Sequence, residues 1–584
     1  MGWTELEKLR LMPEMCGKEV GMTKRRMVVF SCIGFLFSFF QITERKLAAE
    51  GNIQWTGSYT GVLLLECLLA GLLTGAAAIM VTKVLQKGKI SEKLCPEGRK
   101  EWPGAGKWLW LGSFLLLLLC WLPFYLAYYP GIMAYDITIQ TGQVVSHAYT
   151  DHHPILHTLL ITAAFRIGEA LFGSVNTGMA ILVFVQQMLL ASAMATGVLC
   201  LWKRGINRGI CVAVQLLCMF YPLNGYLSVS LTKDVFFSAF FVLQLLCLCQ
   251  LVMERSKTYG RPDVLFFASG IAMQLFRNNG RYAFLCMTVV LLPVAFFARK
   301  DSFFWRRLAG NCVLCLLVGS LLLTALFRVT GAEQGDKREM LSMPIQQLAR
   351  CMLYHGGVGV MPEDDNTICD EDKALIHDFL LDDGYLEYRP DISDPVKRHT
   401  NTYVVRYRTG DFARTYFRLL RQHPGDFINA GLAVNAGFFY VLDESHAHIN
   451  ENGRDRGLGY IQTRWVEEEL GARGIYKDSK LESLHRILED WADQNGYLKI
   501  PVLKYIFMPG IFLWLYLFAA GILLVRKQYG RCVPFLLVAG YYLTMFLGPT
   551  VQLRYLYPVM ILWPFLTGMV LSKDNGEKKD ECKH

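Results

Sequence analysis

Between Tyr128 and Thr158 the chain reads YYPGIMAYDITIQTGQVVSHAYTDHHPILHT, with two aspartates, four histidines and two glutamines directly after an apolar run. Ionisable groups beside a membrane cost free energy unless solvated or paired, so such a cluster is a candidate functional site. Four more polar clusters follow: Asn224 with Lys233-Asp234 in SVSLTKDVFF, then Arg277, Asn278, Asn279 and Arg281 in FRNNGRY. The others are Gln346, Gln347 and Arg350 in MPIQQLAR, and Arg554 with Tyr557 in QLRYLYP. A cationic rim of Lys233, Arg277, Arg281 and Arg554 suits a phosphate, since a guanidinium can hold two oxygens at once. A carboxylate such as Asp136 suits a general base that deprotonates a hydroxyl. At a membrane edge the phosphate would belong to a lipid, and the chemistry would be transfer from that lipid to an acceptor outside the cytosol.

Each residue also has a plainer role open to it. Lys233 and Arg554 fit interfacial anchors that snorkel to the headgroups. Asn-Asn-Gly is a good turn without any function. Gln346 and Gln347 could pair with backbone groups, and His157 could be a satisfied buried histidine. Anchoring cations, however, are expected chiefly on the inner side, whereas Arg277 and Arg281 flank an outer turn. Five clusters on one face favour a shared site.

The elements that position these residues are membrane spans. Of 584 residues, 53% are hydrophobic and the mean hydropathy is +0.29, which excludes an ordinary soluble domain. Apolar runs of about 17–25 residues, long enough to cross a bilayer as helices, recur along the chain. The first begins near Met27 with no small-residue cleavage site after it, so it reads as an uncleaved insertion signal. The +9 charge bunches in short loops, as around Lys24, Arg25 and Arg26, Lys83 to Lys107, and Lys203, Arg204 and Arg208. This is the pattern of cytoplasmic loops and not of nucleic-acid binding.

Placing the basic loops inside predicts twelve spans with both ends cytoplasmic: 27–45, 59–83, 108–128, 176–201, 209–226, 235–253, 264–277, 282–298, 308–328, 503–525, 532–548 and 556–572. Ile155 to Phe172 is then a re-entrant or interfacial helix on the outer face, because a full crossing would put Lys203 outside. The regions are a two-span segment with a cytoplasmic loop (1–107), a transmembrane core (108–328) with a catalytic external loop (129–175), an external insertion (329–502) and final spans with a cytoplasmic tail (503–584). The insertion reads as mostly helical, at Glu371–Leu381, Gly410–Gln422 and Leu481–Asn495, with little period-two alternation. Phe427 to Leu442 suits a helix lying on the membrane. Most of the 17 cysteines sit in apolar runs as small hydrophobes. Cys312 and Cys315 form a CxxC without a second pair, and Cys351 and Cys369 both fall in the external region, where a disulfide could form.

In this arrangement the chain resembles the membrane-embedded glycosyltransferases of the GT-C superfamily, which use polyprenyl-phosphate sugars. The resemblance rests on an aspartate just past an outward span (PGIMAYD, Asp136), a downstream HHP (His152 to Pro154), a KD pair (Lys233, Asp234), a large external insertion and a late RYLYP (Arg554 to Pro558). The chain is especially similar to a group of bacterial integral-membrane proteins with YPG…D…Q, HHP, TKD, R-N-G and PxQQ signatures. It covers about Trp108 to the end and leaves out the first two spans.

The resemblance implies an all-α GT-C-like bundle of about twelve transmembrane helices in a bacterial plasma membrane. The donor would be a polyprenyl-phosphate sugar and the acceptor an envelope glycan, lipid or protein. Asp136 would be the catalytic base, and Lys233, Arg277 and Arg554 would neutralise the leaving phosphate. His152 and His153 would orient phosphate or sugar, and Asp234, Asn279, Arg281, Gln346, Gln347 and Tyr557 would complete the substrate-binding set. One base with direct displacement implies inversion. The chain lacks an obvious DxD after the third span, where metal-dependent members carry one, although Asp136, Asp151, His152, His153 and Asp234 are residue types that bind Mg or Mn. Two other readings use the same residues: a transporter or flippase of a lipid-linked glycan, and a polymerase with a pyrophosphate donor. A transporter would be expected to carry its site near the midplane between paired halves, and no two-half symmetry is visible.

Overall fold

The computed structural model describes residues 3–85, 96, 105–133, 135–256, 258–299, 301–441, 467–494 and 496–572. Among them the secondary structure is helical, with only isolated β-bridges. The basic loop at 86–104 and the tail beyond 572 are largely or wholly outside the described residues.

The helices that frame the site are α1 (Trp3–Glu50), α2 (Gly57–Leu85), α3 (Ala105–Ala127), α4 (Tyr135–Ser146), α5 (Ile155–Phe172), α6 (Val175–Lys203), α7 (Arg208–Phe220), α8 (Pro222–Val229) and α9 (Lys233–Glu254). Then come α10 (Arg261–Phe276), α11 (Asn278–Phe297) and α12 (Ser302–Thr330). Their ends follow from local sequence. Ser174 caps α6 by accepting from Thr177 N–H at 3.2 Å, and Thr232 caps α9 by accepting from Asp234 N–H at 3.2 Å. Asp234 then sits in the first turn of α9, where the helix dipole favours an anion. Tyr221-Pro222 breaks the apolar run at 208–229, and α7 and α8 meet at 51°.

Among the described residues, eight helices are long and apolar enough to cross a membrane, or nine if α7–α8 is one span. The chain is thus an all-α polytopic membrane protein, but the described residues do not form twelve long spans. The expected spans at 264–277 and 532–548 come out as helices of 16 and 14 residues. The run at 503–525 breaks at Met508-Pro509 into Pro501–Phe507 and Gly510–Val525, because proline cannot continue a helix at that point. The last helix, Leu553–Leu571, carries Pro558 and Pro564 inside it.

By length α5 counts among the eight, but its contacts keep both its ends on the Lys233 side. His157 near its start packs on Phe236, in the first turn of α9, with ring centroids 5.7 Å apart. Asn176, just past its end, accepts from Tyr476 N–H of the insertion at 3.1 Å. Arg204, at the far end of α6, instead lies 3.9 Å from Glu254 at the far end of α9. The α5–α6 hairpin packs backbone to backbone: a Cβ on Gly178 would lie 2.0 Å from Ala164 O, so only glycine fits there.

The insertion contains α13 (Ser342–His355), α14 (Asp370–Phe379), α15 (Asp394–Arg398), α16 (Thr402–Tyr407), α17 (Thr409–Gln422) and α18 (Pro424–Asn435). These have an apolar core of their own, including Ile345, Leu348, Met352, Phe379 and Leu419. Its C-terminal part, α19 (Glu467–Gly471) and α20 (Glu482–Asp493), belongs instead to the main core through Leu470, Ile475 and Ala492. The expected membrane-lying helix near Phe427 is α18. It packs on α13 and reaches the α1–α2 turn, where Trp55 Nε1 donates to Asn429 at 2.9 Å. Cys351 is buried and Cys369 exposed, and both are free thiols.

Candidate functional site

Two backbone segments set the site. The loop after α3 pairs with the segment before α9: Ile132 N–H donates to Val229 O at 2.8 Å, and Leu231 N–H donates to Ile132 O at 3.0 Å. Gln186 of α6 fixes the same segment, donating to Ser230 O at 2.8 Å and accepting from Thr232 N–H at 3.3 Å. Asp136, in the first turn of α4, and Lys233, at the start of α9, are thereby brought face to face.

Lys233 Nζ lies 2.9 Å from Asp136 Oδ2, and Arg554 Nη1 donates to the same oxygen at 3.1 Å. Arg554 Nε is 3.8 Å from Asp234 Oδ2 and 2.8 Å from Gln552 Oε1. Arg277 Nη1 lies 2.9 Å from Asp234 Oδ1 and 3.2 Å from the Tyr541 hydroxyl, and its guanidinium stacks 4.6 Å over the Tyr555 ring. Three cations therefore alternate with two carboxylates in one buried network. It carries one excess positive charge. Burial alone would raise the Asp136 carboxyl, but Lys233 and Arg554 hold it well below the usual carboxylate range.

His153 completes the cluster. Lys233 Nζ is 2.9 Å from its Nδ1. An ammonium has only protons to offer, so Nδ1 accepts and the ring is neutral with its proton on Nε2. Burial and then Lys233 push its pKa down to about 2. Nε2 is buried and has no partner, leaving one N–H donor unused beside the cations. His157 Nδ1 is 3.0 Å from Gln140 Oε1, whose amide donates to Thr158 at 2.9 Å, and His157 Nε2 is likewise buried without a partner.

The other candidates lie elsewhere. His152 is exposed, its ring 4.6 Å from that of His153. Asn279 donates to Thr544 at 3.2 Å, and Arg281 lies 5.2 Å from the Tyr282 ring centroid. Tyr557 is fully buried and donates to Asn224 Oδ1 at 2.9 Å, which ties the last helix to α8. Gln346 donates to Arg389 O, and Gln347 donates to Phe427 O and accepts from Tyr416, all within the insertion. These contacts lie outside the ion network. Conversely, Gln552, Tyr541 and Tyr555 orient the two arginines. Gln552 and Tyr555 flank Arg554 in QLRYLYP, whereas nothing in the sequence around Tyr541 distinguishes it from any tyrosine in an apolar run.

The donor set does not fit a divalent cation. Asp136 Oδ2 and both Asp234 oxygens already face Lys or Arg nitrogens, and Asp151 accepts from Gly335 N–H. Among the described residues no three His, Cys, Asp or Glu side chains converge as a metal site.

Fold and site together define a polytopic membrane protein with a buried, net-positive ion network on the side that carries the insertion. The chain belongs to the family of unknown function DUF6020, which it matches over residues 143–583. His153, Lys233, Asp234, Arg277 and Arg554 fall inside that match, and Asp136 falls just before it. No curated protein and no solved structure matches the chain.

Proposed function

We propose that the protein is a membrane glycosyltransferase that moves a sugar from a polyprenyl-phosphate donor to an acceptor on the outer face of a bacterial plasma membrane. The observation that carries this reading is the sharing of one Asp136 oxygen by Lys233 and Arg554, with Arg277 and the unpartnered His153 Nε2 close by. Such a set can exchange one anion for another. A donor phosphate takes over Lys233, Arg554 and Arg277, and His153 Nε2–H donates to one of its oxygens. Asp136 loses its two cationic partners, so its carboxylate becomes more basic as substrate binds.

Asp136 then accepts the proton of an acceptor hydroxyl. The acceptor oxygen forms a bond to the anomeric carbon as the bond from that carbon to the phosphate oxygen breaks. The electron pair leaves with the lipid phosphate, whose charge the same cations hold. Displacement from the opposite face inverts the anomeric centre. The reaction needs no metal, because guanidinium and ammonium groups supply the positive charge.

The test compares envelope glycans of a parent strain, a deletion, and a deletion carrying Asp136→Asn at equal membrane levels. Loss of one sugar on deletion, not restored by Asp136→Asn, is the expected result. Full restoration would remove Asp136 as the base and favour a flippase of a lipid-linked glycan.

A further inference from the structure

A polar cavity, which the scheme above does not use, adjoins the Asp136 loop. It has a volume of about 270 Å³ and lies between the loop after α3 and the C-terminal part of the insertion. Tyr128, Tyr129 and Ile132 form one wall, and Glu482, His485 and Glu489 form the other.

The segment over this cavity is fixed at several points. Arg473 donates to Thr138 O at 2.6 Å and to Thr141 Oγ1 at 2.9 Å, both on α4, the helix that carries Asp136. Tyr476 N–H donates to Asn176, Asp478 N–H donates to Tyr129 O at 3.0 Å, and Lys480 N–H donates to Leu126 O at 2.8 Å. The opposite wall is fixed too, since Ile132 is the residue paired with Val229 and Leu231 just before Lys233. The cavity is a built feature and shares that wall with the ion network.

Its chemistry differs from that of the network. Lys477 at its edge lies 3.2 Å from Glu467, so Glu482 and Glu489 leave the cavity net negative and unsuited to a phosphate. Lys480 lies 4.7 Å from the Tyr129 ring centroid, and the His485 ring is edge-on to Tyr128 at 4.7 Å. His485 Nε2 is 3.5 Å from Glu489, whereas its Nδ1 is buried with no partner. A buried polar atom without a partner is uncommon unless a ligand or water meets it. Carboxylates that accept from hydroxyls, an imidazole and aromatic walls together suit a small, neutral, hydroxyl-rich molecule.

We infer that this cavity binds a saccharide or polyol. Naming that ligand the acceptor rests on the transferase reading, but binding itself does not. The sugar lies between the Tyr128–Ile132 loop and the helix that carries Glu482, His485 and Glu489.

The experiment is saturation-transfer NMR on the full chain in lipid nanodiscs without any lipid-linked donor. The probes are the methyl glycosides of glucose, galactose and N-acetylglucosamine, and ribitol. At least one probe should show transfer in the parent, weakened several-fold by Glu482→Gln and by Tyr129→Leu and unchanged by Lys233→Ala. Glu482 is exposed, so its substitution leaves the fold intact and keeps the test decisive should Tyr129→Leu misfold. No transfer to any probe, or transfer lost only in Lys233→Ala, overturns the inference. Restoration of the glycan by Asp136→Asn would refute the transferase reading and leave sugar binding standing.

Discussion

Two buried clusters of cations and carboxylates stand in this molecule, and they are built to opposite ends. In the insertion, Arg350 lies 3.2 Å from Asp426, donates to Asn52 at 2.9 Å and to Gly51 O at 3.2 Å, and stacks over Tyr354. His355 there meets a carboxylate at each ring nitrogen, Asp365 and Asp426, both at 2.8 Å. Every polar edge has a partner, and the cluster clamps the insertion to the α1–α2 turn. The Asp136 network has instead one more cation than carboxylates and a buried imidazole N–H with nothing to meet. A satisfied network fixes a structure, whereas an unsatisfied one at low dielectric stores affinity for whatever completes it. Equal-looking charge clusters thus separate into a clamp and a site.

The comparison can be broken by substitutions that act on one cluster and spare the other. Asp136→Asn should lower sugar transfer per folded molecule by about 10²–10⁴-fold, the usual contribution of a general base, and should also lower the unfolding temperature, because Lys233 and Arg554 lose their shared carboxylate. Arg350→Ala should act on stability alone. Removing one partner of a buried pair costs about 3–5 kcal/mol, read as a lower unfolding temperature, with transfer per folded molecule retained. Tyr557→Phe should cost about 1 kcal/mol through the lost bond to Asn224, again with transfer retained. If it abolished transfer at unchanged stability, Tyr557 would belong to the site.

The smallest effect separates the clusters by pH. Burial opposes protonation of His355, but the hydrogen bonds its ring donates to Asp426 and Asp365 outweigh it and raise its pKa. A raised histidine contributes stability that is complete below its unfolded value, about 6.5, and is lost as pH rises through the folded value. Unfolding temperature should therefore fall above neutrality, and His355→Gln should flatten that slope. Asp136 behaves oppositely. Its carboxyl is held well below the usual range, so its contribution is present above the unfolded value of about 3.9 and fades only in stronger acid. Around neutrality the ion network should not respond to pH.

The apolar runs made the membrane class legible, and polar residues at their ends pointed to Asp136, Lys233, Asp234, Arg277 and Arg554, because charge beside a span demands a reason. The insertion helices were readable as well: Asp370–Phe379, Thr409–Gln422 and Glu482–Asp493 fall within one or two residues of the expected ranges. Three things were not readable. Span length failed where proline at 509 and the short run near 532 stopped helices early. Gln346, Gln347 and Tyr557 carry groups as polar as those of the ion network, and only tertiary contacts show that their hydrogen bonds run to Arg389 O, Phe427 O and Asn224 outside it. The split of the insertion, with 467–493 packed on the membrane core, depends on contacts far apart in sequence.

The most direct test of the central claim is whether phosphate and Asp136 compete for the same cations. Native mass spectrometry of the purified chain with a polyprenyl phosphate should show binding that drops at least about tenfold (roughly 1.4 kcal/mol) in Arg554→Ala. In Asp136→Asn, where the competing carboxylate is gone, the lipid should bind more tightly than in the parent. Weaker binding in Asp136→Asn, or binding indifferent to Arg554, would contradict the account.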